Sequence, residues 1–110
     1  MSDLVKSKRV VTFVPAANAN EFAKTMAAHI PHLFGEYDSV CWWSAPKMED
    51  GTEQFRPLVG DVEQTPSVRM EFSIPDDDAA LKNFTATLKK HHLWQEPVIL
   101  IFDSQIIHHQ

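Results

Sequence analysis

Residues 10–15, Val-Val-Thr-Phe-Val-Pro, and residues 68–75, Val-Arg-Met-Glu-Phe-Ser-Ile-Pro, decide the fold of this chain. Each stretch is followed by the same helical stripe of a phenylalanine, a threonine, an aliphatic residue and a histidine, at Phe22, Thr25, Met26 and His29 and again at Phe84, Thr87, Leu88 and His91. The two copies are only about 60 residues apart, so we predict two interlocked strand-helix-strand units that share one sheet.

The first copy predicts a strand over Arg9–Val14 that is apolar on both faces, as a central strand would be. Asn18 and Glu21 have the spacing of a capping box and predict the start of a helix. Pro31 predicts that this helix ends near His29.

The second copy predicts a strand over Val68–Ile74, in which apolar and polar residues alternate. One face of this strand is therefore expected to be buried, and the other to face solvent or an interface. The aspartates at 76–78 then occupy the first turn of a helix, where negative charge is stabilising. We interpret them as capping residues rather than as a carboxylate metal site.

Three further segments have strand character. These are an aromatic strand over Tyr37–Trp43, a short strand over Gln54–Leu58 and a buried strand over Val98–Phe102. The resulting order is βαββαβ, which predicts an α+β, ferredoxin-like sandwich with a four-stranded antiparallel sheet and two helices on one face.

Composition limits the functional classes. With 110 residues and 44% hydrophobic content, residues 1–110 are expected to form one domain, with a core from about residue 9 to residue 103. A net charge of −5 without a concentrated basic face argues against nucleic acid as a partner. We expect no membrane partner, because no apolar run reaches the length of a span, and a single cysteine, Cys41, fits a reducing compartment such as the cytoplasm.

The sequence offers few catalytic patterns. The six histidines fall in pairs, but neighbouring residues on a helix point about 100° apart, so we interpret them as helix-terminal and surface residues rather than as an intrinsic metal site. If a divalent cation binds, His91 and His92 are the candidate ligands. Cys41 is either a nucleophile activated by a lowered pKa or a small core residue, and its position in an apolar strand favours the core.

Two motifs resemble a known family. Residues 35–38, Gly-Glu-Tyr-Asp, and residues 51–60, Gly-Thr-Glu-Gln-Phe-Arg-Pro-Leu-Val-Gly, are similar to the G-N-Y-D and G-x-G-x-F-R-P-x-x-G signatures of YqfO-type domains. Residues 92–97 fall where that family has H-P-Y-E-E-P. These domains are PII-like and CutA-like modules, which occur inserted in Nif-three-like dinuclear-metal proteins and also alone. The resemblance covers approximately residues 9–103.

The resemblance implies a ferredoxin-like fold that assembles as a homo-oligomer, most often a trimer. The dinuclear metal ligands of the larger proteins lie outside the region of resemblance, so no such centre is expected here. We therefore expect a non-catalytic cytoplasmic protein that binds a small ligand or a metal ion in clefts between subunits. A divalent cation is the candidate cofactor.

We place these roles in the long central loop, Ser44–Ser67, and in the turn His91–Pro97, with the alternative that Phe55, Arg56 and Pro57 only dock this loop on a neighbouring subunit. The expected ligand contacts are Arg56, His92 and Glu96, and the expected oligomer contacts are Tyr37, Trp43, Phe55 and Pro57. Two alternatives stay open: a scaffold that recruits another protein through the aromatic strand, and a small metal-dependent or thiol-dependent enzyme.

Overall fold

The computed structural model describes residues 3–43 and 51–108. Along the chain the elements are β1 (Leu4–Pro15), a 3₁₀ turn (Ala16–Asn18), α1 (Ala19–Ala27), β2 (Cys41–Trp43), β3 (Thr52–Phe55), β4 (Glu63–Pro75), α2 (Asp78–His91) and β5 (Ile99–Ile107). Residues 44–50 of the predicted central loop lie outside the described part of the chain.

The sheet has the strand order β2-β4-β1-β5, and all of its pairings are antiparallel. This is the order expected of two interleaved strand-helix-strand units, so the ferredoxin-like prediction is confirmed. Among the described residues, a fifth strand, β3, joins the four strands of this fold, and it overlaps the short strand predicted over Gln54–Leu58 but begins and ends earlier in the chain. The N-terminal part of β4 extends beyond the main sheet. There β3 pairs with it antiparallel, with Thr52 opposite Pro66 and Phe55 opposite Glu63.

Both helices pack on one face of the sheet, against alternate residues of β1 and β4. The buried core consists of Val10, Val14, Ala19, Phe22, Ala23, Met26, Ile30, Val68, Met70, Phe72, Ile74, Phe84 and Leu88. Phe84 meets Phe72 edge to face, with ring centroids 5.0 Å apart. In the described part of the chain, neither helix is long and apolar enough to cross a membrane.

The sequence repeat is also a structural repeat. Phe22 and Phe84 are both buried, at 4% and 2% exposure. Thr25 and Thr87 each donate a hydrogen bond from Oγ1 to the carbonyl four residues earlier, and both bonds are 3.0 Å long. Equivalent residues of the two copies therefore have equivalent environments.

The two helices begin differently. Asp77 is the N-cap of α2, and its carboxylate accepts a 2.9 Å hydrogen bond from the Ala80 amide, which confirms the capping interpretation of this acidic run. Asn18 occupies the N-cap position of α1, but its side chain makes no capping hydrogen bond, so the predicted capping box is wrong. The preceding 3₁₀ turn is the reason, because it leads directly into the helix and the Ala19 amide bonds to the carbonyl of Ala16.

The aromatic strand is shorter than predicted. Only Cys41–Trp43 pairs with β4, whereas Tyr37 lies before the strand and is 80% exposed. Ser39 has a φ of 58°, in the left-handed region, which interrupts the extended run that the residue types suggested.

The last strand begins where it was predicted but is not buried. β5 is an edge strand that pairs with β1 alone among the described strands, and Leu100, Ile101 and Phe102 are 38%, 47% and 47% exposed. It also continues to Ile107, well beyond the predicted end at Phe102.

Candidate functional site

His92 fixes the turn after α2 to the central strand. Its Nδ1 accepts a 3.0 Å hydrogen bond from the Trp94 amide, so the ring proton is on Nε2. From there it donates to the carbonyl of Phe13 at 3.0 Å, with the hydroxyl of Thr12 at 3.1 Å. The Thr12 hydroxyl in turn donates to the carbonyl of Val98 at 2.8 Å, which joins the start of β5 to the same group.

This environment favours a neutral imidazole. Burial lowers the pKa of His92, and the hydrogen bond to the Phe13 carbonyl opposes that shift only in part. The ring also meets the Phe22 ring edge to face, with centroids 5.4 Å apart. Since both ring nitrogens are bonded within the chain, a ligand can reach His92 only by replacing one of these bonds.

The other predicted ligand residues lie at separate places. Arg56 is exposed in the loop between β3 and β4, and its Nε donates a 3.0 Å hydrogen bond to the carbonyl of Gly60, which closes that loop. Glu96 is exposed in the turn between α2 and β5. Within residues 3–43 and 51–108, no hydrogen bond or ion pair joins Arg56 to His92 or Glu96. Their shared role in ligand binding stays a prediction.

The candidate metal ligands His91 and His92 have different partners. The ring of His91 stacks on that of His29, with centroids 5.2 Å apart and an interplanar angle of 22°. The ring of His92 instead lies between Phe22 and Trp94. In the parts of the chain that the structure describes, no group of three or more histidine, cysteine or acidic side chains is arranged to hold a metal ion.

A groove of about 780 Å³ lies at one end of the sheet. It is framed by the segment that connects α1 to β2, by Arg9 of β1, by Glu71 and Ser73 of β4, and by the C-terminal end of β5. Its lining includes the apolar side chains of Ile30, Leu33, Val40, Trp42 and Ile106. A concave surface of this size with mainly apolar walls and a few polar groups is typical of small-molecule sites.

Three polar residues of this groove, Arg9, Glu71 and Ser73, belong to an ion cluster that also includes Arg69 beside the groove. Glu71 accepts hydrogen bonds from Arg9 Nε at 2.9 Å and from Arg69 Nε at 3.1 Å, and Arg9 also donates to the hydroxyl of Ser73 at 2.7 Å. Arg9 chiefly, with Arg69, holds the pKa of Glu71 below its usual range. The sequence analysis did not predict this cluster. It predicted only that Arg69, Glu71 and Ser73 lie on the polar face of their strand.

Cys41 also lines the groove. It is half-buried and packs against the core, which confirms its interpretation as a small packing residue. Burial raises the pKa of the Cys41 thiol, whereas an activated cysteine needs a lowered pKa. Its environment therefore gives no support to a thiol-dependent enzyme.

The predicted oligomer contacts differ in exposure. Tyr37 is 80% exposed, Phe55 is 45% exposed and Pro57 is exposed, whereas Trp43 is half-buried and packs against the core. The first three are open to a neighbouring subunit. The structure contains one chain, so their role as interface residues stays a prediction.

Comparison with known proteins identifies the fold. No protein-family model matches the sequence, and no curated protein matches it. Among solved structures, the chain is similar to a Bacillus cereus protein related to NIF3, with 24% identity, a TM-score of 0.72 and 92% of this chain covered. The chain spans 26% of that larger protein.

Two CutA structures match over most of their own length. CutA from Synechococcus elongatus matches with 14% identity and a TM-score of 0.67, over 96% of this chain and 87% of that one. The divalent cation tolerance protein from Thermus thermophilus matches with 15% identity and a TM-score of 0.61, over 87% and 82%. The chain therefore has a PII/CutA-like fold, which confirms at the level of fold the resemblance seen in its motifs.

Proposed function

We propose that this chain is a non-catalytic, CutA-like binding module that works as a cytoplasmic homo-oligomer, with a trimer as the preferred form. In this proposal it binds a small ligand or a divalent cation in the clefts between subunits. The observation that carries the proposal is the apolar, unpaired edge of β5 in a chain whose fold is that of CutA.

An exposed edge strand with apolar side chains is unfavourable in an isolated subunit. β5 has nine residues, and its outer edge presents backbone groups with no partner strand among the described residues. Edges of this length and composition pair readily with other chains unless something covers them. A second copy of this chain that pairs with this edge would satisfy the backbone groups and would cover parts of Ile101 and Phe102, which lie on opposite faces of the strand.

The sheet face opposite the helices supports the same proposal. Residues that pair directly across strands share a face, and Leu100 pairs with Val11, Phe102 with Arg9 and Trp42 with Glu71. Leu100, Phe102 and Trp42 therefore lie on the face without helices, where they are between 38% and 53% exposed. Subunits that bring these faces together would complete the second layer that a sheet normally needs.

The ligand part of the proposal uses the residues at the opposite end of the sheet from the groove. Arg56 on the β3–β4 loop and Glu96 on the turn after α2 supply exposed charges of opposite sign, and His92 positions that turn. In this proposal, Arg56 of one subunit and Glu96 of the next line the same cleft.

Oligomeric state in solution tests the proposal. Sedimentation velocity on untagged protein is expected to give three times the chain mass of 12.5 kDa. Phe102→Lys, which places a charge on the exposed edge and open face, is expected to dissociate the assembly. Ala86→Lys, which adds the same charge at an exposed position of α2, is the matched control and should remain assembled. A wild-type monomer that keeps its fold by circular dichroism would refute the proposal.

A further inference from the structure

The two histidines that end the repeated sequence phrase meet in the structure. His29 lies just after α1, His91 is the last residue of α2, and their rings stack with centroids 5.2 Å apart. They occupy equivalent positions of the two copies, each seven residues after the buried phenylalanine of its helix. If an approximate two-fold axis relates the two copies, the midpoint between two equivalent residues lies on that axis. His29 and His91 are in contact, so both lie close to it.

We propose that His29 and His91 form a binding site for one divalent transition-metal ion, such as Zn²⁺, on the helical side of the molecule. This inference goes beyond the proposed function, because the site lies within one chain rather than in a cleft between subunits, and it uses His29 with His91 in place of the neighbouring pair His91 and His92. The side chains would supply two nitrogen ligands, and water would complete the coordination.

The separation of the rings fits this role. With zinc–nitrogen bonds of about 2 Å and a tetrahedral angle, two imidazoles on one ion have ring centroids ~5 Å apart. The observed separation is 5.2 Å. In a stack neither ring plane points at a shared ion, so both rings must turn about their Cβ–Cγ bonds before their nitrogens face one metal. His29 is exposed and His91 is partly exposed, and this torsion is broad for histidine, so the rotations are inexpensive.

The local electrostatics favour a cation. Each histidine lies at the C-terminal end of a helix, where unpaired carbonyl groups give a partial negative charge. An ion on the approximate two-fold axis is also equidistant from both imidazoles. His92 cannot complete such a site in its observed state, because both of its ring nitrogens are bonded elsewhere.

Zn²⁺ titration of untagged protein tests this site. Isothermal titration calorimetry is expected to give one Zn²⁺ per chain, and His29→Gln and His91→Gln should each weaken binding at least tenfold. The double variant should bind no more weakly than either single variant, because removal of one ligand already destroys the chelate. His32→Gln, which changes an exposed histidine on the same segment, is the matched control and should bind as the wild type does.

Two results would overturn the inference. The first is wild-type affinity in both single variants, in which case loss in a Cys41→Ser variant would assign binding to the thiol. The second is loss in only one of the two single variants. Sedimentation of the same samples separates this inference from the proposed function, because an oligomer that lacks Zn²⁺ binding refutes the metal site alone. Nuclear magnetic resonance of the imidazole nitrogens provides a second readout, since Zn²⁺ should shift one nitrogen of each ring.

Discussion

The ion cluster of Arg9, Arg69 and Glu71, on the sheet face without helices, makes the free energy of unfolding depend on pH. Glu71 is 16% exposed in its side chain and bonds to two guanidinium groups, those of Arg9 and Arg69. Because these bonds favour the charged carboxylate, the pKa of Glu71 is lower in the folded than in the unfolded chain. The unfolded chain therefore takes up the proton first as the pH falls.

The magnitude of the effect follows from the burial of the three side chains. Fully exposed ion pairs contribute about 0.2–1 kcal/mol, whereas hydrogen bonds to charged groups contribute about 1.5–3 kcal/mol when they are shielded. Glu71 is shielded, but Arg9 and Arg69 are 35% and 47% exposed. We therefore expect Glu71→Gln to lower the free energy of unfolding by about 1–2 kcal/mol at pH 7.

Urea unfolding of wild type and Glu71→Gln between pH 7 and pH 2.5 measures this difference. The stabilisation should be fully present above the unfolded-state pKa of about 4.3 and should disappear as the pH falls through the lower pKa of the folded state. Glu63→Gln is the matched control, because it makes the same change at an exposed position of the same strand. The reasoning fails if Glu71→Gln matches wild type at pH 7, or if the difference between them persists at the lowest pH.

Three further substitutions have clear expected outcomes in thermal or urea unfolding. Asp77→Ala should cost about 1 kcal/mol because it removes the cap of α2, whereas Asn18→Ala should cost little because that side chain caps nothing; equal costs would contradict this. His92→Ala should cost about 2 kcal/mol because it leaves a carbonyl and an amide unpaired, and His32→Ala, at an exposed site, should be neutral. Phe72→Ala should cost about 3–5 kcal/mol because Phe72 is fully buried, and a cost below 1 kcal/mol would refute the core assignment.

The fold was predictable because its determinants are local. The alternation at residues 68–74 and the stripes of Phe22 and Phe84 report buried faces, and the structure places those residues in the core. Asp77 is also a local signal, since a cap needs only the next turn of its own helix.

The errors concern features that depend on distant contacts or on single backbone angles. An apolar strand at the edge of the sheet has the same composition as one in the core, so the sequence around Leu100 and Phe102 does not indicate that these side chains are exposed. The positive φ of Ser39, which shortens β2, is not visible in a serine. In both cases the residue types fit a strand, and the surroundings decided the outcome.

The candidate sites were less predictable than the fold, because the partners are far apart in sequence. His92 was selected through the family motif, but its bond to Phe13 spans 79 positions of the chain. Arg9 and Glu71 are 62 positions apart, and nothing in either local pattern indicates that they pair. Only the strand register, with Arg9 opposite Ser73 and Val11 opposite Glu71, brings that cluster together.

The contact between His29 and His91 follows from the sequence repeat and not from either copy alone. A histidine at a helix C-terminus is stabilising without any partner, so His29 and His91 are each explained locally by the helix that they end. Duplication adds a second effect. An approximate two-fold axis relates the two helices, and equivalent residues of α1 and α2 can contact each other only close to that axis. The residues at that point are two imidazoles, which are metal ligands when neutral. The same duplication that specifies the fold therefore also brings two imidazoles together at the proposed cation site, on the side of the sheet opposite to the proposed subunit contacts.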